Sequence, residues 1–259
     1  MILSPLDLFC FTLAGLLVGS FLNVVACRLP KRQSLVTPRS HCPHCQTTLR
    51  PFDLIPVFSW LLLRGRCRTC RASINWKYPA VELLTATVWA AVAWRYGISW
   101  ETGFGLAFAS LLIPLALIDQ KSMILPNELS YTLILLAVLF RSLTDTESFS
   151  YYAAGGLTGA GVLFALHRIS PYLFGMQGMG LGDVKLMAGI GMAVGLQETF
   201  LSLFISSFTG VVLGGLRMAR GKLTKRSYFP FGPCLALGGI LSYLAGDIFW
   251  RHYLSFFSR

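Results

Sequence analysis

"GMGLGDVKL" (residues 178–186) sets an aspartate and a lysine among three glycines, and a long apolar run follows it. Whether this is a soluble loop or the threshold of a membrane segment decides the fold. Composition favours the threshold. Of the 259 residues 54% are apolar, mean hydropathy is +0.62, and only 13% are charged. That charge content is about half the usual share, and it falls in clusters. The gaps between clusters suffice to cross a bilayer, which takes about 20 mostly apolar residues per helix. Eight segments qualify: residues 6–27, 79–95, 103–118, 128–142, 151–168, 184–197, 199–216 and 231–250. The expected fold is an all-α, polytopic membrane protein of about eight transmembrane helices, with Asp183 opening the sixth.

Charge gives the orientation. Asp7 precedes the first segment, while Arg28, Lys31 and Arg32 follow it, the reverse of a secretory signal. If the segments alternate, 18 Lys and Arg fall on one side, ten of them within residues 28–78. Only Arg95, Arg141, Arg251 and Arg259 fall on the other. The positive-inside rule then puts the N-terminus outside and the basic loops in the cytoplasm. The net charge of +11 is topological, partly facing lipid, and is no sign of nucleic-acid binding.

Three regions follow: a first transmembrane helix over 1–27, a cytoplasmic stretch over 28–78, and helices two to eight over 79–259. No internal repeat stands out. The cytoplasmic stretch is too short to build a core unaided and needs a staple or the membrane surface. "HCPHC" (41–45) and "CRTC" (67–70) provide the staple. Two CxxC turns, Cys42/Cys45 and Cys67/Cys70, complete a four-cysteine site that suits structural Zn²⁺. Disulfides are disfavoured in the cytosol, and no thioredoxin-like pattern supports a redox pair. His41 and His44 read as loop histidines.

Acids near membrane segments call for a function or a solvated place. Asp7, Glu101, Asp145, Glu147, Glu198 and Asp247 fall toward the outer side, where solvation accounts for them, and Asp53 lies in the cysteine loop. Glu82, Asp119, Glu128 and Asp183 fall near the cytoplasmic face. Asp119 closes the third segment and Asp183 opens the sixth, so the topology brings them to similar depth. Two carboxylates at one site suit aspartyl hydrolysis, one holding a proton while the other activates water. The glycines before Asp183 would admit an extended substrate. Asp183 as a helix N-cap and Asp119 as a solvated interfacial residue remain open on pattern alone. A proton or cation transporter would also explain such acids, though not the cysteines.

At these residues the sequence resembles the type IV prepilin peptidases, membrane aspartyl proteases of the GxGD class. "GLGDVK" (180–185), "DQKSMILPN" (119–127), "GSFLNVVACRLP" (19–30) and the paired CxxC turns carry the resemblance over nearly the whole chain. It implies cleavage of the basic leader of prepilins or pseudopilins at the cytoplasmic face of the bacterial inner membrane. It also implies N-methylation of the new amino terminus by S-adenosylmethionine. Asp119 and Asp183 become the catalytic pair, with Gly180, Gly182 and Lys185 as motif support. Lys185 either biases that pair or snorkels to headgroups. No nucleotide fingerprint marks the methyl-donor site, and Asn23, Glu82 and the cysteine loop are candidates. Glu82 alternatively pairs with Lys77 or another base. Helix ends place the pair's shared proton on Asp119, at a C-terminus, rather than on Asp183, at an N-terminus.

Overall fold

The computed structural model describes residues 3–144, 147–175, 178–221 and 229–257. Asp145, Lys222, Lys225, Arg226 and Arg259, counted in the charge distribution, lie outside them. All eight expected segments are helical: α1 (Pro5–Arg28), α3 (Lys77–Tyr96), α4 (Trp100–Ser122), α5 (Asn127–Leu143), α6 (Phe149–Phe174), α7 (Leu181–Val194), α8 (Leu196–Ala219) and α9 (Gly232–Phe257). A short α2 (Phe58–Leu62) lies in the cysteine region, and the described residues contain no strand beyond two isolated bridges.

The expected count of eight crossings is not confirmed. Five helices among the described residues are long and apolar enough to span a bilayer: Pro5–Lys31, Trp100–Ser122, Phe149–Tyr172, Leu196–Ala219 and Gly232–Phe256. Of the others, α5 has 17 residues and α7 only 14, whereas α3, at 20, falls short in composition. The chain is a multi-pass membrane protein all the same. It forms two compact units, one ending at Ser110 and the other beginning at Leu111.

In the first unit, α1 opens with a reciprocal cap. The Asp7 amide donates to Ser4 Oγ at 3.1 Å, and the Ser4 amide donates to Asp7 Oδ2 at 3.1 Å. Asp7 thus fixes a helix start. Further along α1, Gly15 and Gly19 lie one turn apart against α3. A Cβ at Gly15 would stand 2.8 Å from the Ala86 Cα, and one at Gly19 2.8 Å from the Glu82 Cα. Small residues at this spacing let two helices approach closely where no water drives them together. The Trp89 indole N–H joins α3 to α4 by donating to Ser110 Oγ at 3.2 Å.

The cysteine region contains a repeat that the sequence reading missed. The amide of Cys42 donates to the Thr47 carbonyl and that of Gln46 to Cys42, while Leu49 donates to Ser40. Twenty-five residues later Cys67 donates to Ala72, Arg71 to Cys67 and Ile74 to Gly65. Gln46 and Arg71 both adopt a left-handed backbone, with φ of 57° and 58°. One hairpin turn is built twice. Trp60 lies over Gly65, whose lack of a side chain admits the ring, and its indole N–H donates to the Ile74 carbonyl at 3.1 Å.

In the second unit α7 is the buried centre, with α5, α6, α8 and α9 packed against it. Every residue from Gly189 to Val194 is buried. A Cβ on Gly191 would collide with the Gly155 carbonyl, so α6 and α7 meet backbone to backbone. The last turn of α7 is held by Arg141, expected to be an outer-loop cation but buried here. Its Nε and Nη2 donate to the Ala193 carbonyl at 3.0 and 2.8 Å, under the Tyr152 ring. A cation on the last carbonyls of a helix satisfies both their hydrogen bonding and the dipole.

Candidate active site

Asp119 lies in the last turn of α4 and is buried. The helix closes four residues later, where the Met123 amide donates to the Asp119 carbonyl at 2.9 Å and Met123 turns left-handed. Asp183 lies in the first turn of α7, three residues after its N-cap, Gly180. Its Oδ2 accepts the Gly180 amide at 3.2 Å, so the helix is capped at Gly180 rather than at Asp183, the alternative left open on pattern, and Asp183 reaches back to that cap.

Both aspartates line one cavity of about 250 Å³. Its other walls are Met123, Ile124, Leu125 and Asn127 on one side, and Gly180, Gly182 and Lys185 on the other. Every lining residue belongs to one of the two motifs, "DQKSMILPN" or "GLGDVK". The motifs also interlock. A Cβ on Gly182 would stand 3.0 Å from Leu125 Cβ, so the glycine is needed for close approach. Lys185 Nζ donates to Asn127 Oδ1 at 2.8 Å and lies 5.1 Å from the Tyr131 ring centroid. That amide and ring give the lysine partners within the protein.

A third segment touches the pair, and nothing in the sequence reading singled it out. The Gly232 amide, at the start of α9, donates to Asp119 Oδ2 at 2.8 Å in a buried contact. The helix-end argument for the proton considered α4 and α7 only. With α9 opening onto Asp119, both carboxylates face a helix N-terminus, and that argument no longer assigns the proton.

The four cysteines also converge. The sulfurs of Cys42, Cys45, Cys67 and Cys70 lie within 4.8 Å of one another, with Cys42 and Cys70 3.8 Å apart. A tetrahedron of sulfurs about 2.3 Å from a zinc ion has edges of about 3.8 Å. The Thr47 hydroxyl, 3.4 Å from Cys45, is foremost in lowering that thiol to about 6. The cluster can hold a metal ion. Arg68, next to Cys67, pairs with Asp53 at 2.8 Å.

Comparison with known proteins agrees with this arrangement. A model described as "Type IV leader peptidase family" matches residues 106–215, and one described as "Bacterial Peptidase A24 N-terminal domain" matches residues 13–96. A prepilin leader peptidase/N-methyltransferase of Bacillus subtilis is 39% identical, covering 93% of this chain and 95% of its own. Proteins of the same name from Aeromonas hydrophila and Neisseria gonorrhoeae are 38% and 34% identical, covering 95% and 96% of this chain and 93% and 94% of theirs. The chain belongs to the type IV leader peptidase family. No solved structure matches it. The transporter alternative finds no support among these relatives.

Within this family member, all three candidates for methyl transfer lie in the first unit, and two of them, Asn23 and Glu82, are engaged by backbone. Asn23 Nδ2 donates to the Tyr78 and Gly19 carbonyls at 3.1 and 3.3 Å, tying α1 to the start of α3. Glu82 is buried, and its Oε2 accepts the Val57 amide at 2.7 Å; no ion pair to Lys77 appears among the described residues. Val57 has φ of 60° and ψ of −51°, and the Phe58 amide folds back to the Pro56 carbonyl. A β-branched residue in such a turn is strained, and Glu82 is what holds its amide. No side-chain pattern in the sequence announces that bond, because its donor is a main-chain N–H.

Proposed function

We propose that this chain cuts the leader from type IV prepilins or pseudopilins with Asp119 and Asp183 as its catalytic pair, and that it N-methylates the amino terminus so exposed. The observation that carries the first half is the cavity whose walls, among the described residues, all belong to the two aspartate motifs. One carboxylate takes a proton from water, whose oxygen attacks the scissile carbonyl. The other, protonated, hydrogen-bonds that carbonyl and then gives its proton to the leaving amine as the C–N bond breaks. Gly180 and Gly182 keep the approach to Asp183 clear of side chains. Lys185 holds the two motifs in register through Asn127.

Methyl transfer belongs with the first unit, whose residues 13–96 match the family's N-terminal domain. S-adenosylmethionine supplies the methyl group. Zn²⁺ at Cys42, Cys45, Cys67 and Cys70 is structural, because four thiolates leave no open position for chemistry. The charge distribution supports a bacterial inner-membrane protein with its N-terminus outside and its active site facing the cytoplasm. The cysteine region exposes Phe52, Phe58, Leu61, Leu62 and Trp76 among ten cations, a surface suited to anionic lipid headgroups. It is unsuited to a basic leader, which finds complementary charge at the aspartates instead.

Purified full-length protein, a prepilin substrate and labelled S-adenosylmethionine test both halves in one reaction. Cleavage is expected to vanish in Asp119→Asn and in Asp183→Asn, while methylation of an already cleaved pilin persists. Cleavage that survives both substitutions removes the protease reading.

A further inference from the structure

The start of α9 offers its partners very little. Phe231 is the last residue before the helix, and its carbonyl accepts the amides of Cys234 and Leu235 at 3.0 and 3.1 Å. Pro233 has no N–H to give. Of the donors a helix start normally leaves free, only the Gly232 amide remains in this first turn, and it goes to Asp119 Oδ2. Gly232 is buried, and the contact leaves no room for a side chain. A Cβ there would meet Asp119 Oδ2 at 2.7 Å and Asp119 Cβ and Cγ at 3.0 Å. The preceding residue is seated by α8, where a Cβ on Gly210 would stand 3.0 Å from the Phe231 ring.

From this we infer that Gly232 is a positioning residue for leader cleavage: its main-chain amide fixes Asp119 Oδ2, leaving Oδ1 as the oxygen turned to water and substrate. The inference rests on the Asp119–Asp183 reading and adds a third chain segment to the site. A donor fixed by the main chain has no rotamers to lose, so it holds the carboxylate at one angle throughout the reaction. Misplacing a reacting group by about 1 Å costs on the order of 100-fold in rate. A methyl group at 232 forces such a displacement, because the Asp119 backbone is itself held within the last turn of α4.

The test compares Gly232→Ala with Gly239→Ala in the full-length protein. Gly239 lies two turns further along α9, where the atoms nearest a Cβ belong to the Ile190 side chain, at 3.1–3.2 Å. Gly239→Ala therefore reports what a methyl group does to α9 in general. Expected for Gly232→Ala is a fall in kcat for leader cleavage on the order of 100-fold with KM within about twofold. Infrared difference spectra against Asp119→Asn should show the Asp119 carboxylate band moved in Gly232→Ala and unmoved in Gly239→Ala. Unchanged kcat in folded Gly232→Ala overturns the inference, as does an equal loss in Gly239→Ala. If Gly232→Ala does not fold, the decision passes to isotope-edited spectra of the native protein, where labelling the Gly232 amide must shift the Asp119 band. Activity that survives Asp119→Asn would instead remove the dyad reading on which the inference rests, so the two failures are told apart.

Discussion

Lys185 Nζ meets Asn127 Oδ1 at 2.8 Å, and these are the last residues of the two motifs that wall the cavity. The bond joins the start of α5 to the second turn of α7, so it bears on the spacing of the aspartates without touching either. Lys185→Met and Asn127→Ala should each lower stability by about 1 kcal/mol and reduce cleavage. The double variant should lose little more than either single one, because both remove the same bond. Thermal unfolding in detergent and leader cleavage measure the two effects. Full additivity would show that the side chains act separately.

Gly182 and Leu125 offer a test by size. Gly182→Ala places a methyl group 3.0 Å from Leu125 Cβ and should impair cleavage by pushing the motifs apart. Leu125→Ala in the same chain makes room and should restore part of the lost rate. A double variant no better than Gly182→Ala would mean that the glycine serves the backbone of α7 rather than the interlock.

Much of this site could be read from the chain, and the reason is chemical. Asp119, Asp183 and Lys185 advertise themselves because charge is rare beside apolar runs, and the cysteines because paired CxxC turns have few uses. Gly232 could not be found that way, since its contribution is a main-chain amide and it carries no side chain. The duplicated turn was hidden for a related reason: the two copies share hydrogen bonds and left-handed residues, but Cys alone in side chains. Arg141 looked like a solvated outer cation because nothing in its neighbours shows that α7 ends beside it. The helices matched the apolar runs well. The number of crossings did not, since a buried core helix such as α7 is as apolar as one facing lipid.

Removing zinc should disorder residues 41–70, because the metal supplies the folding free energy of so small a region. Methylation should fall further than cleavage on chelation or in Cys42→Ser, as the aspartates lie in the second unit. Both activities can be followed in one reaction with labelled methyl donor. Equal loss of both would mean that the cysteine region supports the entire chain.

Glu82→Gln separates a brace from a reacting acid. Glutamine keeps an oxygen able to accept the Val57 amide, so a brace should survive with methylation within about threefold and stability within about 1 kcal/mol. Glu82→Ala leaves that amide without its acceptor and should cost about 1–3 kcal/mol. A methylation rate abolished by Gln as completely as by Ala would make the carboxylate a participant in methyl transfer.

The shortness of α7 bears on how hydrolysis is supplied. Its 14 residues extend about 21 Å, whereas the hydrocarbon of a bilayer is about 30 Å thick. Sheathed by four longer helices, it does not have to match that thickness, and its ends can stop short of the lipid boundary. Asp183 stands at one such end. The cavity it lines with Asp119 lies at that end, so the proposed hydrolysis would take its water from beyond the helix rather than through lipid.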